Sequence, residues 1–401
     1  MKKPGLIIAE SPYPMGSMSI RIRMWAKGFL ENNVLVKVFI VAPRPTKYAI
    51  ENAEPYVVFA LPPTYKTTKN TKLLFSYQRI IGLVHLWKYL IKEKDLSFII
   101  IAWPNILLGT FLLLFCKKNN VKLFFDKGDE NGRMIDKNNT SLLDYLAKLN
   151  QKYFNKYVIP RVDVMFVVSS YLEKKYNKLY PALKIKRSLP TLIDYNEFLE
   201  NQKNDILDIE QKGYEIFKSE KPKVLYAGSC ERTNGLFFFL EIAAQLLIHE
   251  KISFGIIFIL VDGDIDEIKR YCVRLGISHN VTFLNPVLPK YMPSIYKAVD
   301  ILVLPEQGTI IANAGFPGKT GEYLASGKAI LATIFSDLTD HLKNGYNAML
   351  AQIGDRETYC NNLKRLILDE GFRAELGLNA IKTVQEDFDY KQGVLRYIEE
   401  L

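Results

Sequence analysis

Short runs of consecutive apolar residues alternate along this chain with longer stretches in which apolar positions recur every three or four residues. The runs are GLIIAES (5–11), VKVFIVAP (36–43), LSFIIIAWP (96–104), VKLFFDKG (121–128) and VDVMFVVSS (162–170), then KVLYAGS (223–229), FGIIFILVDG (254–263), VTFLNPV (281–287), ILVLPE (301–306) and AILAT (329–333). Continuous runs of four to seven apolar residues suit strands buried on both faces of a parallel sheet, where no solvent face demands alternation. Their regular alternation with helical patterns predicts two doubly wound α/β units. Between them, EFLENQKNDILDIEQKGYEIFKSEKPK (197–223) is polar and holds no strand, so the junction is expected there, dividing the chain into 1–215 and 216–385. The last stretch, YKQGVLRYIEEL, repeats apolar positions at helical spacing after the EDFDY break. It predicts a helix within 386–401 that lies outside the second unit and returns to the first.

Length and composition agree with that plan. A chain of 401 residues exceeds one ordinary core, and 48% hydrophobic with 24% charged residues excludes a disordered polymer. The net charge of +10 is uneven: residues 1–200 hold roughly 31 basic against 16 acidic side chains, so the excess lies in the front half. An anionic partner fits such asymmetry, either nucleic acid or an acidic membrane surface. Cys116, Cys230, Cys272 and Cys360 are far apart and sit in or beside apolar runs, which points to buried thiols rather than a disulfide framework or zinc site. The apolar run before Glu10 is too short for a signal segment. The longest apolar stretch, NILLGTFLLLFC (105–116), falls short of the roughly 20 residues that span a bilayer. A reducing, cytoplasmic setting is expected.

Neither AESPYPMGSMS nor AGSCERTNG gives Gly-x-Gly-x-x-Gly after its strand, and no P-loop occurs, which argues against a dinucleotide oxidoreductase. Two features remain. VLYAGSCERTNGLFFFLEIAAQLL reads strand, Gly turn, polar loop and a helix starting near Asn234, whose free N–H groups suit an anion. FPGKTGEYLASGKAILAT (316–333) brings Lys319, the backbone of Thr320 and Gly321, and Glu322 to a second helix start. A diphosphate would use the Lys and N–H groups there, and a carboxylate can accept both hydroxyls of a ribose. A solvated loop with a capping Glu is the plainer reading of the same residues.

The order of LYAGS…NG, VTFLNPV…YKAVDILVLP and PGKTGEYLASGKAILAT resembles the nucleotide-sugar domain of the retaining glycosyltransferases of family 4, within the glycosyl transferases group 1. The front half is similar through SPYPMGSMSIRIRMWAKGFLENNVLVKVFIVAP, VDVMFVVSSYLEKKY and LPTLIDYNEF, so the likeness spans most of the chain. The resemblance implies an α/β GT-B fold, two facing Rossmann-like domains, and a hexosyltransferase type of enzyme. It implies transfer with retention from a nucleoside-diphosphate sugar, UDP-linked rather than GDP-linked, to a hydroxyl of a lipid-linked or growing bacterial surface glycan. No cofactor or metal beyond that substrate is implied. Carried over by residue, Glu322 binds the ribose, Gly16 lies in the loop that closes over the diphosphate, and Gly228 and Gly235 frame the donor loop. Gly318, Thr320 and Gly321 complete the second helix start.

The chain also departs from the family. The first Glu of the E-x7-E pattern would fall at Ala314, and the donor loop's usual Arg and Lys are Ser229 and Asn234. Arg232 and Lys319 are the expected substitutes for diphosphate charge. Where the family often has a His facing the sugar, this chain has FFDKGDENG, and Asp129 or Glu130 is the expected catalytic neighbour, a solvated acidic turn being the other reading. These departures keep two rivals open, a nucleotide-sugar epimerase of the same fold and a catalytically inactive GT-B scaffold subunit.

None of the histidines has the context of a catalytic base. His85 suits a packed or interfacial position, and His249, His279 and His341 suit surface or capping ones. The stretch 71–94 combines Leu, Ile, Phe, Trp and Tyr with Lys72, Arg79, Lys88, Lys92 and Lys94. As a surface helix it would lie on an anionic membrane face, making the protein peripheral there; as a core helix it would cover the sheet. Nucleic acid explains the basic half less well, since no helix-turn-helix, zinc-finger or RNA-binding signature accompanies the charge.

Overall fold

The computed structural model describes residues 3–10, 17–51, 53–62, 72–93, 95–128, 142–204, 213–230, 235–261, 263–308 and 313–401. The chain forms two compact units, Met1–Leu192 with Tyr390–Leu401, and Ile193–Asp389.

The first unit is built on a parallel sheet of β1 (Gly5–Glu10), β2 (Val36–Ala42), β3 (Val57–Phe59), β4 (Phe98–Ile101), β5 (Lys122–Lys127), β6 (Val164–Val167) and β7 (Ile185–Arg187). Their spatial order is β3-β2-β1-β4-β5-β6-β7. The long apolar runs supply the five inner strands, and Phe98, Phe124 and Phe166 stand side by side on one face of the sheet. The helices are α1 (Ser17–Glu31), α2 (Lys47–Glu51), α3 (Lys72–Lys92), α4 (Ile106–Asn119), α5 (Leu142–Tyr157) and α6 (Ser170–Leu179). Helix α4 starts where Asn105 Oδ1 accepts the Leu108 N–H at 3.0 Å and stops at left-handed Asn120. Gly109 admits α5, since a Cβ there would come within 2.8 Å of Phe154 and Val158.

The segment Tyr390–Leu401 packs on this first sheet. The Tyr397 ring stacks on Phe166 with centroids 3.9 Å apart, and its hydroxyl donates to the fully buried Asp126 carboxylate. Asp126 also accepts from Arg21 Nη2 at 3.2 Å and from the Ser188 hydroxyl at 3.3 Å. A charge this deep persists because it is paired and hydrogen-bonded on several sides.

The second unit carries β8 (Lys223–Gly228), β9 (Gly255–Leu260), β10 (Val281–Leu284), β11 (Ile301–Leu304), β12 (Ala329–Thr333) and β13 (Met349–Ala351), all parallel, in the order β10-β9-β8-β11-β12-β13. It begins 23 residues before the expected junction, because Ile193, Phe198 and Tyr214 are buried in its core rather than in the first unit. Helix α7 (Tyr195–Asn201) contributes Phe198 inward while its exposed positions are polar apart from Leu199, which is why the segment read as a linker. Helix α8 (Leu236–Ala244) starts at Leu236 and continues as a π-turn, Gln245–His249. All four cysteines are free and buried. Among the described residues no helix is long and apolar enough to cross a membrane.

Candidate functional site

In the second sheet β9 and β10 lie to one side of β8, and β11, β12 and β13 to the other. Connections leaving β8 and β11 therefore diverge, and a crevice opens at the carboxyl ends of these two strands. Gly235, with φ of 69°, closes the loop after β8. A Cβ at this position would lie 1.6 Å from the Pro305 carbonyl oxygen, so the loops after β8 and β11 touch here and only glycine permits it. The Thr333 hydroxyl at the end of β12 donates to the Glu306 carbonyl at 2.6 Å and fastens the second loop from its other side. Tyr226 donates its hydroxyl to the Ser229 carbonyl at 2.6 Å, which fixes the turn at Gly228 and Ser229.

The helix Thr320–Ala325 stands beside this crevice. Tyr323 is fully buried, and its hydroxyl accepts the Ala227 N–H of β8 at 3.4 Å. The half-buried Glu322 accepts at Oε2 from the Tyr296 hydroxyl at 2.7 Å. Tyr296 has no exposed surface, and burial together with the Glu322 charge holds its phenol well above the ordinary range. Among the described residues Tyr296 is the carboxylate's one hydrogen-bond partner, which orients it and leaves Oε1 as an acceptor for a ligand. Lys319, also half-buried, precedes the helix and has no acidic partner among the described residues.

One expected donor is already used. The Thr320 N–H donates to the Pro317 carbonyl at 3.0 Å, so the backbone of Thr320 does not serve an anion. Its side chain has no exposed surface either. Gly321 is buried beside it, whereas Gly318 is exposed with open space where a Cβ would go. Ala314, standing where the family resemblance puts a Glu, is fully buried. Arg232, Asn234, Gly16, Asp129 and Glu130 lie outside the described residues.

Two carboxylates were not anticipated. Glu306 follows β11 after Pro305 and is half-buried, and its carboxyl has no hydrogen bond or ion pair among the described residues; burial pushes its pKa up to about 7. The acid immediately after the run ILVLP was the available signal. In the first unit Glu10 ends β1 at the corresponding switch between β1 and β4, where Arg79 Nε donates to its Oε1 at 2.6 Å. Burial raises the Glu10 pKa against the pull of Arg79. Arg79 is therefore engaged inward and is not a lipid-facing cation. Lys94 lies outside the described residues, and His85 is exposed on α3. His341 is half-buried, with Nδ1 2.8 Å from Asp387. Among the described residues no group of His, Cys, Asp and Glu could hold a metal.

Two parallel α/β units with the crevice at a topological switch define the GT-B class, and the solved structures similar to this chain share it. Sucrose-phosphate synthase from Thermosynechococcus elongatus aligns with a TM-score of 0.73 and 16% identity over 99% of this chain and 98% of that one. Anabaena HepE, solved with UDP, aligns with a TM-score of 0.70 and 14% identity over 99% and 100%. Residues 221–369 match the model of the family Glycosyl transferases group 1, a stretch that includes the motif carrying Glu322. An uncharacterized glycosyltransferase of Methanocaldococcus jannaschii is 23% identical over 43% of either chain. D-inositol 3-phosphate glycosyltransferase of Corynebacterium diphtheriae is 29% identical over 27% of this chain and 24% of its own. The chain thus spans less than half the length of these two relatives.

Proposed function

We propose that this protein is a retaining glycosyltransferase of family 4 that moves a hexose from a nucleoside-diphosphate sugar, UDP-linked, to a hydroxyl of a lipid-linked surface glycan. The observation that carries the reading is Glu322, held by a buried tyrosine at the switch of the second sheet with Lys319 three residues before it. A carboxylate so placed accepts ribose hydroxyls, and the ammonium answers the diphosphate. Structures of HepE with UDP-glucose and of Staphylococcus aureus TarM with UDP support the donor class by analogy of fold.

In this reading the bond between the sugar's anomeric carbon and the diphosphate breaks while the acceptor oxygen bonds to that carbon, and the proton of the acceptor hydroxyl passes to the leaving diphosphate. Lys319 and Arg232 stabilise the charge left on the diphosphate, an electrostatic contribution that needs no metal. Asp129 or Glu130 would be the catalytic neighbour of the donor sugar, where the family often has a His. Glu306, whose carboxyl has no partner among the described residues, would meet hydroxyls of the transferred sugar. The burial of Ala314, where the family carries a Glu, favours one second reading, a scaffold that binds nucleotide without turnover. Incubation with a panel of nucleotide sugars and glycan acceptors tests both: transfer supports the enzyme, and binding with no transfer or isomerisation supports the scaffold.

A further inference from the structure

Helix α3 buries Gln78, Gly82, Leu86 and Leu90 against the first sheet. Its opposite side carries a second apolar stripe, Tyr77, Ile80, Val84, Trp87 and Ile91, each at least 45% exposed. These positions are three or four apart, one continuous face of a helix. The stripe does not end with α3. The Trp87 ring meets Phe111 of α4 at 5.8 Å, and α4 adds Leu107 at 74% and Leu114 at 68% exposure. On the far side of α4, Tyr153 and Tyr157 of α5 stack with centroids 6.0 Å apart and are both exposed. Soluble monomers rarely leave so broad an apolar surface open.

Charge accompanies it with one sign. The three helices contain nine Lys and Arg, of which Arg79 is turned to Glu10, and a single acid, Asp144. Lys148, Lys152 and Lys156 form an exposed row along α5, and Lys117 and Lys118 close α4. A cavity of about 1340 Å³ opens between α4 and α5, with Leu113, Leu114, Tyr153 and Tyr157 along it and Lys117 and Arg161 among its cations. Apolar walls next to cations match an amphiphile with an anionic head.

We propose that the outer face of α3, α4 and α5 seats the protein on an anionic lipid bilayer, with Trp87 and Leu114 entering the acyl boundary, the α5 lysines in the headgroup layer, and the α4/α5 cavity taking part of one lipid. Other occupants fit less well. A nucleic acid would use the cations but leaves Ile80, Val84, Leu107 and Leu114 in water. A second copy on the same face would oppose two strongly basic surfaces. The proposal rests on the glycosyltransferase reading only for its purpose, presentation of a lipid-linked acceptor, and its test is separable from donor binding.

The full chain is mixed with phosphatidylcholine vesicles with and without phosphatidylglycerol, and sedimentation and tryptophan emission are followed. The expected result is sedimentation with the anionic vesicles alone, a blue shift in emission, and release by salt, which screens exposed charges beyond about 8–10 Å. Replacing Lys148, Lys152 and Lys156 together with Gln should lower vesicle partition tenfold or more. Trp87→Ser with Leu114→Ser should remove the blue shift and weaken partition similarly, and both variants should keep wild-type UDP affinity. Failure to sediment with anionic vesicles overturns the proposal. So does wild-type partition of the Trp87/Leu114 variant, which with competition by duplex RNA would assign the face to nucleic acid. Vesicle binding by a protein that does not bind UDP would leave the bilayer seat standing and remove the donor reading instead.

Discussion

At the scale of single residues the site is a contrast between groups already held and groups left open. Glu322 has one oxygen on Tyr296 and one to offer, and Lys319 has no acidic partner among the described residues. If Lys319 answers a diphosphate, Lys319→Ala should weaken UDP binding far more than uridine binding, because only UDP carries that charge. Equal losses in calorimetry would assign the lysine to structure. Glu306 offers a test without ligand. Its folded pKa of about 7 stands above the ordinary 4.5, so the native state holds a proton that the unfolded chain has released between those values. Stability should therefore fall as pH rises through that window and stay low above it. Glu306→Gln should raise the melting temperature at pH about 8, by a stabilisation on the order of 1–3 kcal/mol, and change little at pH about 4.5. A melting difference independent of pH would mean that the Glu306 carboxyl does not titrate in this way. The Glu322 motif was legible because Lys, Gly and Glu sit within four residues, so local order alone brings them together. Glu306 was not, because its perturbation comes from burial under distant elements. The Glu10–Arg79 pair escaped for the same reason, its partners being 69 residues apart.

At the scale of elements, each of the ten apolar runs read as strands became a strand, while the longer apolar stretch 105–116 became helix α4, and the strands the sequence did not announce among the described residues are β3, β7 and β13. Each has three residues and ends its sheet. Edge strands are short and often solvated on one side, so VVF and IKR, all half-buried, left no pattern long enough to read. The early start of the second unit has a similar cause, since a few separated inward residues, Ile193, Phe198 and Tyr214, in an otherwise polar stretch decide where the segment packs. What positions the site is the contact between two loops at Gly235. Gly235→Ala adds a Cβ into the Pro305 carbonyl and forces a left-handed backbone on alanine, costing at least about 2 kcal/mol. Chemical denaturation should show that loss, whereas Gly318→Ala, with open space around it, should stay within about 0.5 kcal/mol of the wild type. A silent Gly235→Ala would mean that the two loops do not meet.

At the scale of the whole molecule, the chain passes from the first unit to the second after Leu192 and returns after Asp389. The return is anchored by Tyr397 on the Arg21–Asp126 pair, a buried arrangement that the sequence expressed only as a helical periodicity near its end. The two units divide the chemistry as they divide the charge. The acidic second unit carries the Glu322 crevice, and the basic first unit carries the exposed face of α3, α4 and α5. The central claim is that the second unit binds a nucleoside diphosphate through Glu322, and isothermal calorimetry of UDP with wild type and Glu322→Gln tests it most directly. The variant keeps the size and the bond from Tyr296 but loses the negative charge. UDP affinity should fall by about 1–3 kcal/mol, the scale of a charge-assisted hydrogen bond at a partly buried site, in a protein whose melting is otherwise unchanged. Undiminished UDP affinity in the folded variant would contradict the account.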